Sequence, residues 1–178
     1  MSTTLVATGE QEVSLDVTVD AIIRKYTVYS MAAGLVPVPL LDIAAVTVTQ
    51  LKMLSEIAAA CKRDFDEERA RSVVGSLLAT VGGLSLSGGI IGSVVKAIPV
   101  VGTIGGIALV PVMSGASTFA LGRVFSAHFQ SGGTLLTLDA NKMKEEFKRQ
   151  LQVGKGVAES LKTEAVALVK KEPAKKES

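Results

Sequence analysis

The sequence predicts an all-α protein: a helical bundle with a proline-cornered helical hairpin, a Gly-rich apolar hairpin of membrane type and a long amphipathic C-terminal helix. Three observations carry that expectation. From Ser72 to Gly122 the only charged side chain is Lys96, and the segments Ser72 to Val95 and Ala97 to Gly122 are each long enough to cross a bilayer core of about 30 Å as helix. Apolar residues recur at helical spacing on both sides of that interval. A Val36-Pro37-Val38-Pro39 run separates two helical patterns nearer the start. The expected division is an acidic N-terminal arm over 1–20, one all-α domain over 21–169 with the apolar hairpin at 72–122, and a disordered basic tail over 170–178.

Met1 to Asp20 carries Glu10, Glu12, Asp16 and Asp20 among Thr, Ser and Val. Alternation around Val13, Leu15 and Val17 is too short to specify a strand, so a mostly unstructured arm is expected, with a short strand added to a partner as the alternative. No basic stretch followed by an apolar core occurs there, and any insertion is expected to use internal segments.

From Ala21 the pattern turns helical through Ile22, Ile23, Tyr26, Val28 and Met31 to about Gly34. Pro37 and Pro39 then break it, because each lacks a donor N–H and pushes its predecessor away from helical dihedrals. A second helix is expected from Leu40 or Leu41, with Asp42 in its first turn at the positive end of the macrodipole. Its apolar stripe is Ala44, Leu51, Leu54, Ala58 and Cys61, opposite Thr49, Lys52, Glu56 and Arg63. Pro37, Pro39 and Asp42 thus mark a structural corner.

Lys62 to Arg71 is strongly charged and reads as a solvated junction and helix start. The apolar interval follows, and Gly75, Gly88, Gly92, Gly102 and Gly106 are its candidate helix-packing positions. Gly88/Gly92 and Gly102/Gly106 have the small-xxx-small spacing that lets lipid-embedded helices approach closely. Lys96 to Pro99 is the expected hairpin tip. Arg69 and Arg71 before the interval and Arg123 after it would keep both ends on the positive cytosolic side. A buried helix pair in a soluble all-α domain is the rival reading of the same stretch.

Ser117 to His128 continues as helix and ends at Gly132-Gly133. Asp139 is a plausible N-cap for a last helix to about Val169. Phe147, Leu151, Gly154, Ala158, Leu161, Ala165 and Leu168 follow a four-three spacing, a seam for another helix within the protein or in an oligomer. Phe147, Leu151, Ala158 and Leu161 are accordingly the candidate self-association seam.

Composition narrows the function. The formal charge of +2 gives no basic field for nucleic acid, and aromatic residues are only 4%, which removes most stacking platforms. No nucleic-acid partner is expected. One histidine, His128, permits no His-based metal cluster within a chain, and no set of partner groups surrounds it in sequence. No GxxxxGK[ST] loop is present, since Gly154-Lys155-Gly156 lacks the hydroxyl and the earlier glycine. Cys61 sits among alanines on an apolar face and reads as core. Expected therefore are no enzyme activity, no catalytic residue, no metal and no cofactor.

Several segments carry a family resemblance. Gly34-Leu35-Val36-Pro37-Val38-Pro39-Leu40-Leu41-Asp42-Ile43-Ala44, then Gln50-Leu51-Lys52-Met53, resembles the signature of the YcjF-like family, a GTPase-associated domain of unknown function in bacterial proteins. Ser117-Thr118-Phe119-Ala120-Leu121-Gly122-Arg123-Val124-Phe125 and His128-Phe129-Gln130-Ser131-Gly132-Gly133-Thr134 are similar to it too. The resemblance covers about Ala21 to Ala158. It implies a membrane-associated protein of a bacterial inner or intracellular membrane. It also implies an Era-like GTPase as partner, acting in trans because this chain has no GTPase domain.

The function expected from residues and resemblance together is a non-enzymatic protein that contacts a lipid bilayer, forms a homo-oligomer, and anchors or is regulated by that GTPase. A self-assembling membrane-shaping or shell-forming scaffold, and a helical pore former, are the alternatives.

Overall fold

A computed structural model describes residues 2–34, 41–82 and 104–171. Among them the chain forms five helices and no strand: α1 Ser2–Ala33, α2 Leu41–Ala60, α3 Glu67–Gly82, α4 Ile104–Gln130 and α5 Ala140–Lys171. The all-α expectation holds. Of the expected features, Pro37, Pro39, Gly88, Gly92, Lys96, Pro99 and Gly102 lie outside the described residues, as does the 172–178 part of the tail.

α4 is the central element, packed against α1, α2 and α5. Its position follows from its sequence. Ala116, Phe119, Ala120, Val124, Phe125 and Phe129 are all buried, so small residues on one side admit close neighbours while three phenylalanines fill the volume between them. Fully burying each such ring contributes about 1.5–3 kcal/mol. Phe125 and Phe129 meet edge-on, with centroids 5.9 Å apart, an arrangement that the ring quadrupoles favour.

The first twenty residues depart from expectation. α1 begins at Ser2 and runs through the stretch expected to be an unstructured arm. Leu15 is half-buried and Val19 and Ile23 are buried at helical spacing against the core, and the acidic side chains supply anchors. Asp20 pairs with Arg123 at 2.6 Å, and Asp16 accepts from Gln130 Nε2 at 2.9 Å. The apparent alternation was misleading because Val13 and Val17 point outward together, 64% and 65% exposed.

α2 starts at Leu41, as the proline corner and Asp42 predict, and buries Leu51, Leu54 and Ala58. It runs antiparallel to α1, with Glu56 accepting from Lys25 Nζ at 2.6 Å and from the Tyr26 hydroxyl at 2.7 Å. α3 opens on an N-cap: the Asp66 carboxylate accepts the Arg69 N–H at 2.7 Å, in the manner that satisfies an otherwise orphan helix donor.

The apolar interval is also corrected at both ends. Val73, Val74 and Leu77 on α3, and Val112, Ala116, Phe119 and Leu121 on α4, are buried within the chain. These residues belong to a packed core, as the rival reading has it, and not to a lipid-facing hairpin. Among the described residues no helix is long and apolar enough to cross a membrane.

α4 ends as predicted at Gly132-Gly133. Gly132 takes φ +93°, a left-handed conformation that glycine adopts without a Cβ penalty. Asp139 caps α5 through its carboxylate, which accepts the Asn141 N–H at 2.9 Å.

The expected self-association seam finds its partner inside the chain. Phe147, Leu151 and Ala158 are 0–1% exposed, and Leu161 packs with Ala158, Met31 and Val112. α5 lies along α4, so the four-three stripe is spent on an intramolecular helix pair and not on a second copy. At Gly154 the backbones come so close that a Cβ would sit 2.7 Å from the Ala116 carbonyl oxygen.

Candidate functional site

The bundle has two chemically different ends. At one, α1 stops beside the early part of α4: a Cβ on Gly34 would lie 3.2 Å from Pro111 Cα and 3.0 Å from Ser114 Oγ. α2 starts after seven intervening residues, so the start of α2 and the early part of α4 share this end. Met31, Val112, Ala158 and Leu161 form a small apolar cluster there. No charge occurs in the sequence from Leu35 to Leu41 or from Ala97 to Gly122.

The other end is charged. The loop between α2 and α3 packs on the turn between α4 and α5 through arginines that donate to backbone carbonyls. Arg63 Nε reaches Phe129 O at 3.3 Å, and Arg69 Nε and Nη2 reach Leu135 O at 2.9 Å and Leu136 O at 3.2 Å. Phe129 O also accepts from the Gly132 N–H at 3.1 Å, and a hydrogen bond from a charged donor contributes roughly 1.5–3 kcal/mol. Beside them an open groove of about 530 Å³ is lined by Asp64, Phe65, Asp66, Glu68, Arg69 and Leu135, among others. Its carboxylates Asp64, Asp66 and Glu68 are exposed to solvent.

Between the ends a polar pocket sits inside the core. Gln50 Nε2 lies 3.2 Å from Thr118 Oγ1 and 3.3 Å from Ser117 Oγ, and Thr118 in turn donates to Ser30 Oγ at 2.8 Å. Gln50, Thr118 and Ser30 are all buried. Gln50 Oε1 has no hydrogen-bond partner among the described residues, which costs about 1–3 kcal/mol. The network joins α1, α2 and α4 and fixes their relative register at that expense.

The titratable groups inside the bundle are structural. Burial, then the Glu56 hydrogen bond, pushes the Tyr26 hydroxyl up to about 12. Lys25, aided by Tyr26, holds the Glu56 carboxyl below the usual carboxylate range despite some burial. Burial pushes the Cys61 thiol up, with Arg63 partly opposing, which leaves it a poorer nucleophile. His128 Nε2 lies 2.9 Å from Thr134 O and 3.2 Å from Thr137 Oγ1, bracing the α4–α5 turn. Among the described residues no group of three His, Cys, Asp or Glu side chains is placed to hold a metal ion.

The sequence-predicted positions scatter across this frame. Asp42 falls in the first turn of α2 and Gly106 in the first turn of α4. Gly75 is exposed on α3, and among the described residues nothing lies within 4 Å of an added Cβ. Close approaches fall instead at Gly34, Gly115, Gly122, Gly133 and Gly154. Gly154 stood in the predicted α5 stripe, where its spacing was visible; Gly34 and Gly115 carry no periodic signal that singles them out.

The comparisons with known proteins fit this picture. The family model described as a domain of unknown function, DUF697, matches residues 4–156, from the first turns of α1 to the middle of α5. Magnetosome membrane protein 22 of Magnetospirillum gryphiswaldense is 37% identical over 150 residues, which cover 84% of this chain and 77% of that protein. No solved structure matches. With the family match spanning all five helices, the resemblance to YcjF-like domains is upheld and the chain belongs to the DUF697 family.

Proposed function

We propose that this chain is a non-enzymatic, membrane-associated protein of a bacterial inner or intracellular membrane. Its helical bundle does not span the lipid, and its apolar interval, with Lys96 the one charge, makes the main lipid contact. The observation that carries this reading is the mismatch between a filled bundle and the sequence left over. α3 and α4 already bury Leu77, Phe119, Phe125 and Phe129 on their own chain, yet residues 81–109 carry a single charge, Lys96, and thirteen Val, Ile and Leu positions. Water solvates such a sequence poorly. The membrane named in the relative supports the same reading.

Self-association belongs to the proposal in altered form. The α5 seam is occupied, so copies would meet through the Gly-rich interval, where Gly88/Gly92 and Gly102/Gly106 keep the small-xxx-small spacing. Control by an Era-like GTPase in trans, with both termini cytoplasmic, rests on the family resemblance and on Arg69, Arg71 and Arg123 flanking the interval. Carbonate extraction of native membranes tests the core of the proposal. Retention in the pellet supports it; complete release into the supernatant overturns it.

A further inference from the structure

Resting on the membrane reading above, the geometry points to the way the bundle faces lipid: we infer that the Gly34–Pro111 end docks on the bilayer, with Tyr29 and Val48 at the headgroup level and Lys52 toward anionic headgroups. Four observations converge on that end. The first is register. Glu56 bonds both Lys25 and Tyr26, so one turn toward the Gly34 end lie Tyr29 on α1 and Lys52 on α2, and one turn beyond Lys52 lies Val48. These residues occupy one continuous face.

The second is exposure. Tyr29 is 54% and Val48 49% exposed, although both are large and apolar enough to favour burial. Tyr29 is held edge-on against Tyr26 with centroids 5.7 Å apart, so its ring stands at a fixed place on the surface. Tyrosine, with an apolar body and a polar tip, suits the membrane–water boundary. The third is depth. At a helical rise of 1.5 Å per residue, Tyr29 lies about 8 Å from Gly34 and Val48 about 10 Å from Leu41, which matches the roughly 5–10 Å to which interfacial elements sink.

The fourth is charge. Lys52 is exposed and has no ion pair among the described residues, whereas the carboxylate one turn along α2, Glu56, is engaged by Lys25 and Tyr26. An exposed lysine beside an apolar face fits an anionic lipid surface. At the opposite end the carboxylates Asp64, Asp66, Glu67 and Glu68 are interspersed with Lys62, Arg63, Arg69 and Arg71, a surface of mixed charge. The exposed apolar residues with Lys52 beside them therefore favour one orientation.

The chain contains no tryptophan, so one introduced residue reports its own surroundings. Full-length Tyr29→Trp and Leu136→Trp variants place a probe at each end. They are mixed with phosphatidylcholine–phosphatidylglycerol vesicles carrying brominated acyl chains, and binding is scored by co-sedimentation. With protein bound, Tyr29→Trp emission is expected to shift blue and fall about twofold, while Leu136→Trp emission stays unquenched. Val48→Asp, on an exposed site that leaves the fold intact by circular dichroism, is expected to weaken vesicle partition about tenfold.

Bound protein in which Tyr29→Trp is not the more strongly quenched variant overturns the orientation and leaves the membrane reading standing. Unchanged partition of a folded Val48→Asp protein overturns the orientation too. Failure of the unmodified chain to sediment with any vesicle overturns both.

Discussion

Gly154 of α5 faces Ala116 of α4 across a gap in which a Cβ would stand 2.7 Å from the Ala116 carbonyl oxygen. Real Cβ atoms do not approach backbone oxygen so closely, and Ala116 lies in the middle of a helix that cannot yield locally. Even an alanine at 154 must therefore part the two helices. We expect Gly154→Ala to destabilise the bundle by about 1–3 kcal/mol despite its better helix propensity. Gly156, two residues on, has nothing within 4 Å of an added Cβ, and Gly156→Ala should stabilise by up to about 1 kcal/mol. Urea unfolding of the two variants gives the comparison, and the opposite signs are the test.

The intramolecular fate of the α5 stripe predicts a stability phenotype. Phe147 is fully buried, so Phe147→Ala should cost about 3–5 kcal/mol in folding free energy. A stripe used only between copies would behave otherwise: the folded monomer would keep its unfolding midpoint and lose only its oligomer. Denaturant titration alongside sedimentation velocity separates these outcomes.

In the buried polar network, Thr118→Val should be costly because it leaves the Ser30 hydroxyl without its donor and removes one acceptor from Gln50 Nε2. The expected loss is about 1–2 kcal/mol. Gln50→Met removes the unpartnered Oε1 as well as the amide donors, and should be close to neutral. The double variant is expected to cost less than the sum of the single ones, since these groups share partners. A double-mutant cycle in urea reads that coupling directly.

Tyr26 and Glu56 impose opposite pH dependences. The Tyr26 pKa is raised to about 12 in the fold from 10.0, so the folded state holds the proton more tightly. Its contribution is complete below pH 10 and is lost as pH rises through that window. The Glu56 pKa is lowered from 4.5, so its contribution is present above that value and lost as pH falls below it. Tyr26→Phe should flatten the alkaline loss of stability, and Glu56→Gln the acid loss. Thermal midpoints collected across pH 3 to 11 for the three proteins (about those limits, set by the shifts) provide the check.

Much of the architecture was legible in the residues. The Leu41 start, the Asp139 cap and the Gly132-Gly133 stop are local chemistry, and each is found where expected. What was not legible depends on long-range partners. Asp16 and Asp20 look like part of a solvated acidic arm until Gln130 and Arg123, more than one hundred positions away in sequence, come to meet them. The uncharged interval hid a second ambiguity, because a helix apolar all round suits a protein core as well as lipid. α4 resolves it toward the core from Val112 onward. The candidate site was readable only as composition; that Gly34 at the end of α1 meets Pro111 follows from the packing of α1 on α4.

Lipid contact by an otherwise self-contained bundle is tested most directly by purifying the full-length protein in gentle detergent, removing the detergent, and measuring particle size by light scattering with lipid phosphorus on the same sample. Lipid-bearing particles far larger than the 18.5 kDa chain are the predicted result. A lipid-free monomer that stays in solution after detergent removal would contradict it, and the interval between α3 and α4 would then have to find its cover within the protein.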